Sequence, residues 1–233
     1  MGAGKVLAIT GVTLGVLAAG AVVGDNVARG YAQDQVAERV QTELGLAQPP
    51  QVDLGGVPFS LALITRRVPT ANLSATQVPL EVSGERITLE TVDVVAEDLA
   101  LQDDRLAIGS ASGDGLLGYP ALSRLAGVPV EAGEETGRVQ VSYTAELFGQ
   151  ELVALVSAVP ALDDERDGLV LTQTRISVAG FDLGEDVAQR IMDELVAPIE
   201  FELPYGLTPD SISADASGVR LAITAKDLVL PAR

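Results

Sequence analysis

The run VLAITGVTLGVLAAGAVVGDNVARGYAQDQVAERVQTELGL, Val6–Leu46, decides how the rest of the chain is read. Its first part, Val6–Val23, carries no charge and is preceded by Lys5. As a helix rising about 1.5 Å per residue it reaches roughly 27 Å, close to the ~30 Å hydrocarbon core of a bilayer and long for the apolar region of a secretory signal. The small residues Ala19-Gly20-Ala21 suit a signal peptidase, and the Gly and Ala content suits a retained anchor equally. Either reading sends the remainder of the chain out of the cytoplasm, with Lys5 and the amino terminus left inside. Residues 1–24 are therefore expected to be a signal peptide or N-terminal membrane anchor, and 25–233 a single domain.

From Asp25 to Leu46 the pattern changes in kind. Val36, Val40 and Leu44 recur four apart, Val27, Ala28, Tyr31, Ala32 and Ala37 extend the stripe, and Asp34, Gln35, Glu38, Arg39 and Glu43 take the other side. That periodicity predicts an amphipathic helix. Asp25 is placed to cap its start and Gly45 to end it, while Pro49-Pro50 bars extension. An apolar stripe says that the helix is buried; it does not say against what.

Hydrophobic residues make up 47% of the chain and aromatics only 3%, so Val, Leu, Ile and Ala must fill the core. Cysteine, histidine and tryptophan are absent. This removes disulfides, thiol nucleophiles, serine-histidine triads, histidine bases and most zinc or iron sites together. A net charge of −18 argues against nucleic acid as a partner, because that affinity comes largely from neutralised phosphates. It argues equally against general adhesion to anionic membranes, so an anionic lipid has to be met by a local cationic cluster and an apolar site.

Beyond Pro50 the chain reads mainly as sheet. Gln51–Leu54 is a short strand and Gly55-Gly56 a turn, and Val57-Pro58-Phe59 is an apolar knuckle leading to Leu61, Leu63 and Ile64 before Arg66 and Arg67. Alternation then runs through Ala71, Leu73 and Ala75, changes phase near Gln77, and resumes at Val78, Leu80 and Val82. Ile87 and Leu89 give way to Val92 and Val94 in the opposite phase, which predicts a bulge around Thr91. Leu106 and Ile108 continue the sheet. Tyr119–Ala126 reads as a short helix with Pro120 in its first turn, and Gly127–Gly137 as an acidic loop. Val139, Val141, Tyr143, Ala145 and Leu147 alternate with polar partners, and Glu151–Val159 and Gly168–Val178 add two strands. Leu183, Val187, Ile191 and Leu195 form a second amphipathic pattern ended by Pro198, and a hairpin about Ala216-Ser217-Gly218 closes the chain. The fold class expected from these patterns is α+β: a strongly curved antiparallel sheet with a long N-terminal helix for it to cover and one or two further helices.

Motifs for chemistry are weak. Asp163, Glu165, Asp167 and Gly168 match the first, third, fifth and sixth positions of a calcium loop, yet Thr174 stands at the twelfth, where a bidentate Glu is needed. Gly113-Asp114-Gly115 lacks phosphate-loop spacing, and acids are plentiful without any pair being singled out for hydrolysis. No catalytic residue, metal or cofactor is assigned. Apolar residues followed by paired arginines suit acyl chains and a phosphate, and on the local pattern they suit a core-packing turn followed by a solvated basic pair still better. On the first of these readings Val57, Phe59, Leu61, Leu63 and Ile64 are the candidate lining of a lipid site, with Arg66 and Arg67 near the headgroup.

The exported N-terminus, QVAERVQTELGL, the Gly56-Val57-Pro58-Phe59 turn and the Leu203-Pro204-Tyr205-Gly206-Leu207 stretch before the last hairpin together resemble the LmeA-like phospholipid-binding family of actinobacterial cell-envelope proteins. The resemblance covers most of residues 28 to 230. It implies a strongly curved antiparallel sheet wrapped around the long N-terminal helix, as in lipid-binding modules, and binding of anionic phospholipid outside the cytoplasmic membrane, at the inner-membrane surface or from an anchor, in support of lipomannan-type glycolipid maturation; it identifies no protein partner, and the net charge already argues against nucleic acid. Two other readings stay open on the residues alone: a non-catalytic envelope scaffold that binds a partner protein through a sheet edge, and a carboxylate-based envelope hydrolase or transferase.

Overall fold

The structure, a computed structural model, describes residues 25–56, 58–82, 85–102, 105–147, 150–163, 168–178, 181–182, 184, 186, 199–200 and 208–231. It is an α+β chain, mostly antiparallel sheet, with an N-terminal helix and few others, and its sheets are not closed barrels. The second amphipathic pattern, the acidic turn after Asp163 and the Leu203–Leu207 stretch lie outside the described residues, apart from isolated positions at their edges.

The chain divides into two compact units. The first holds residues up to Gly115 together with Leu203–Thr208 and Ala222–Arg233. It begins with helix α1 (Asp25–Leu44), which ends where Gly45 takes a positive φ of 66°. Strand β1 (Gln51–Leu54) pairs antiparallel with β2 (Arg67–Val82), Gln51 opposite Ser74 and Leu54 opposite Ala71. Between them sits a helix not foreseen in the sequence, α2 (Phe59–Thr65). Strand β3 (Glu85–Gln102) pairs along the whole of β2, and β4 (Arg105–Gly118) lies beside it in the sheet, with the latter part of β12 (Gly218–Pro231) next.

Two residues interrupt the β2–β3 ladder. Gln77 has φ +53° and is skipped in the register between Thr76↔Thr91 and Val78↔Leu89; Asp98 has φ +54° and is skipped between Val68↔Leu99 and Thr70↔Glu97. Each is a left-handed residue inside a strand, which resets the alternation and adds local twist. The phase change near Gln77 has this cause; the bulge expected around Thr91 is absent, because Gln77 and Glu90 are skipped together and the register runs from Thr76↔Thr91 to Val78↔Leu89 without a shift.

Helix α1 buries Ala28, Ala32, Val36, Ala37, Val40 and Leu44. Its second half packs Val36, Val40 and Leu44 against Leu73, Ala75, Val78 and Val92 of the sheet. Its first half joins a second cluster, in which Ala28 and Ala32 meet Leu54, Phe59, Val68, Leu99, Leu106 and Ile108. Val27 and Tyr31, which the sequence places with the stripe, are 60% and 52% exposed. At 100° per residue they lie on the side away from Val36 and Val40, so the true buried arc is narrower and made largely of alanine and valine.

The second unit holds Leu116–Glu202 and Pro209–Leu221. Helix α3 (Tyr119–Ala126) carries Pro120 in its first turn and ends at Gly127, as the sequence predicts. The strands β5 (Val130–Ala132), β6 (Val139–Leu147), β7 (Gln150–Asp163), β8 (Gly168–Val178) and β10 (Ile199–Glu200) form a sheet in the order β10-β8-β7-β6-β5, with the two-residue β9 (Phe181–Asp182) also on β8. Arg138 is buried in it: its guanidinium donates to Ser157 Oγ at 2.8 Å, Ser157 O at 2.9 Å and Gln173 O at 2.6 Å. The fork thus pins the register shift of β7 and β8, where Gln173 has φ +49°. Strand β11 (Thr208–Ala214) precedes β12, and Asp215 Oδ1 accepts from the amides of Ser217 and Gly218 to close the expected final hairpin.

Candidate functional site

The candidate residues that the structure describes lie in one corner of the first unit, along the connection from β1 to β2. Gly55 N–H donates to Thr70 O at 2.8 Å, and Gly56 takes φ +108°, a conformation open to glycine and strained for other residues. Pro58 then sits at the N-cap of α2 in extended conformation, and its ring offers no acceptor to the helix amides. Asp25 supplies one from far along the chain: its carboxylate accepts from Phe59 N at 2.9 Å and Ser60 N at 2.7 Å. Sequence alone makes Asp25 a cap for α1; in the fold its carboxylate caps α2. The Phe59 amide, and after it the Ser60 amide, hold the Asp25 carboxyl below its ordinary value, because both bonds favour the charged form.

Arg29, one turn further along α1, reaches the same corner. Its guanidinium donates to Gly56 O, lies 5.6 Å from the centroid of the Phe59 ring and comes within 3.9 Å of Asp25. Asp25 and Arg29 therefore clasp the Gly56–Phe59 turn to the start of α1. Sequence reasoning places neither in this site. Separations of 34 and 27 residues leave no local signal to find them by.

Phe59 is fully buried and Ala62 nearly so, which makes them the inner side of α2. Leu61 and Ile64 face outward, 53% and 80% exposed. Val57 and the side chain of Leu63 lie outside the described residues. Arg66 ends the helix in the left-handed region, its amide bonded to Ala62 O, and its own carbonyl accepts from Leu101 N at 2.9 Å. Arg67 opens β2 opposite Ala100. Both arginines are exposed, and among the described residues no ion pair or side-chain hydrogen bond holds either guanidinium. The corner thus brings together one buried aromatic, two exposed aliphatic side chains and two disengaged cations.

A trough of about 520 Å³ begins at Arg67 and runs over β2, β3, β4 and β12, past Pro69, Asp98, Ala100, Gln102 and Asp227. Asp98 and Asp227 share its rim with the single cation Arg67, so its sign does not suit a phosphate. No cluster of three or more acidic, histidine or cysteine side chains that could hold a metal ion occurs among the described residues. No helix among those residues is long and apolar enough to cross a membrane.

A family model described as LmeA-like phospholipid-binding matches residues 23–224. Curated proteins and solved structures return no match.

Proposed function

This chain belongs to the LmeA-like phospholipid-binding family, and from that premise we propose that it takes the acyl chains of an anionic phospholipid into an apolar groove between its sheet and its helices. The family match over 23–224 is the observation that carries this reading. The corner adds chemistry that suits it. Helices α1 and α2 meet the sheet through Ala28, Ala32, Val36, Val40, Phe59 and Ala62, an apolar layer, aliphatic but for Phe59, that is compatible with the acyl chains that would part it. Left-handed interruptions at Gln77 and Asp98 in long strands support a strongly curved sheet that wraps α1, since such residues raise twist.

Magnitudes divide the work. Each buried methylene contributes about 0.8 kcal/mol, so a dozen give roughly 10, against about 1.5 to 3 for a hydrogen bond to a charged phosphate. Affinity then comes from the chains and selectivity from the headgroup. Val57, Phe59, Leu61, Leu63 and Ile64 are the proposed acyl contacts, with Phe59 innermost and Leu61 and Ile64 at the mouth, and Arg66 and Arg67 meet the headgroup phosphate. In this reading the protein is a carrier or sensor without catalysis. It works in the cell envelope outside the cytoplasmic membrane, either secreted or held by residues 1–24, and supports maturation of lipomannan-type glycolipids.

Native mass spectrometry of the full chain purified from a bacterial membrane background tests this. A phospholipid near one per chain, exchanged by added phospholipid, is the expected result. A clean unliganded mass that persists when anionic phospholipid is added would sink the reading and move weight to the scaffold.

A further inference from the structure

We propose that α2 is the edge by which the protein rests on a bilayer: the outward side chains Leu61 and Ile64 enter the interface of a membrane containing anionic lipid, with Arg66 and Arg67 against its headgroups. The inference rests on the phospholipid-binding reading only for the class of partner, and it names a surface that a lipid site does not by itself require.

Exposure alone would not carry this, since single apolar side chains are common on protein surfaces. Three further observations do. Leu61 and Ile64 stand three apart on one helix, so they share a side, and that side is opposite the buried pair Phe59 and Ala62. The helix holds no acidic residue, and the Asp25 carboxylate at its first turn is occupied by two of its amides. In a chain of net charge −18, Arg66 and Arg67 place two exposed cations beside an apolar pair, the combination an anionic interface recognises; Arg67 shares its trough with Asp98 and Asp227, which leaves Arg66 as the principal headgroup contact.

Position supplies the third. Asp25, which binds the first turn of α2 at 2.7 and 2.9 Å, lies two residues beyond Val23, the end of the uncharged apolar run. Two residues of extended chain span about 7 Å, so the clasp holds α2 within about 15 Å of the end of that run. If Val6–Val23 engages a bilayer, α2 cannot be remote from its surface. This is why a membrane is favoured over a second copy or a protein partner as the occupant of the face.

The chain has no cysteine, so single-cysteine variants can be labelled uniquely. Ile64→Cys and Glu43→Cys, both at exposed positions, are labelled with an environment-sensitive fluorophore, and each full chain is reconstituted into phosphatidylglycerol–phosphatidylcholine vesicles. The quencher is a nitroxide carried on a sterol, so that it reports on the bilayer and not on phospholipid taken up by the protein. At position 64 the emission is expected to shift to the blue and to be quenched several-fold more than at position 43, at the far end of α1. The difference should shrink when Arg66→Glu and Arg67→Glu are added. A water-like spectrum at 64, quenched no more than at 43, overturns the proposal. So does a blue-shifted label that the sterol fails to quench, which would hand the face to phospholipid taken up by the protein, a second copy or a protein partner. Lipid uptake is read separately by native mass spectrometry: a chain that carries phospholipid while its label at 64 stays aqueous sinks the contact edge alone, and the converse pattern sinks the lipid site alone.

Discussion

Replacing Phe59 with alanine is the sharpest test of the corner. The ring is fully buried among Leu54, Val68, Leu99 and Leu106, and the Arg29 guanidinium lies 5.6 Å from its centroid. Truncating a buried phenylalanine costs about 3 to 5 kcal/mol through lost transfer free energy and the cavity left behind. Exposing Arg29 to that cavity adds the loss of a cation–π contact worth about 0.5 to 2 kcal/mol. With domain stabilities of about 5 to 15 kcal/mol, the variant should keep its fold with little margin. Urea unfolding of the full chain, monitored by far-UV circular dichroism, should show the midpoint of the first unit falling by about 2 to 3.5 M at a typical slope of about 2 kcal/mol/M. Phe59→Leu, which keeps most of the volume, should cost under about 1.5 kcal/mol. A double-mutant cycle with Arg29→Met isolates the ring–cation part. A midpoint within experimental scatter of the parent for Phe59→Ala would refute the packing argument, and with it the placement of Phe59 on the inner wall.

Asp25 carries a pH signature. Its folded pKa is depressed below the ordinary 3.8 by the Phe59 and Ser60 amides, so the stabilisation is present above that value and disappears as pH falls through the folded pKa. Unfolding midpoints measured between pH 5 and pH 2 should therefore drop less steeply for Asp25→Asn than for the parent, and equal slopes would dismiss the clasp. In the second unit, Arg138→Lys should not restore what Arg138→Ala loses, because a single ammonium cannot reproduce the fork that reaches Ser157 Oγ, Ser157 O and Gln173 O; amide hydrogen exchange at the β7–β8 register shift reads this. Glu135→Gln should match the parent in thermal melts despite its 2.6 Å contact with Arg175, as both side chains are more than half exposed. Gly218→Ala should destabilise more than Gly55→Ala: a Cβ at 218 meets the Leu117 carbonyl oxygen at 2.3 Å and the Gly118 Cα at 2.9 Å, whereas at 55 its closest neighbour is the Thr70 hydroxyl, which can rotate away. Equal melting temperatures for those two variants would contradict the close backbone approach.

Much of the sheet is legible in the sequence because alternation is a local signal. Gln51–Leu54, the phase change at Gln77, Gly168–Val178 and the final hairpin each arise from residues within a few positions of one another. The Val57–Ile64 knuckle conceals a helix because seven residues give fewer than two turns, too few for periodicity to show, and because its cap is Asp25 and not a neighbour. Val27 and Tyr31 look buried from the sequence since apolar side chains spaced by four mark a stripe without marking its centre. The candidate site is legible as composition, apolar residues then Arg66 and Arg67. Its separation into an inward Phe59 and outward Leu61 and Ile64 requires the direction of a helix that the sequence does not reveal.

The clasp between Asp25 and the first turn of α2 also has a place in time. The β2–β3 hairpin can close from the Val82↔Glu85 end and zip toward Arg67↔Ala100, each pair adjacent to one already formed. The bond from Phe59 to Asp25 instead spans 34 residues and gains nothing until both α1 and that far end of the hairpin are in place. It is thus among the last contacts made on folding and among the first released. Substitutions at Asp25 or Arg29 should accelerate unfolding while leaving the folding rate nearly untouched. On the proposed lipid-binding reading, a corner that opens first would admit an acyl chain at the cost of a local excursion, with the paired strands behind it undisturbed.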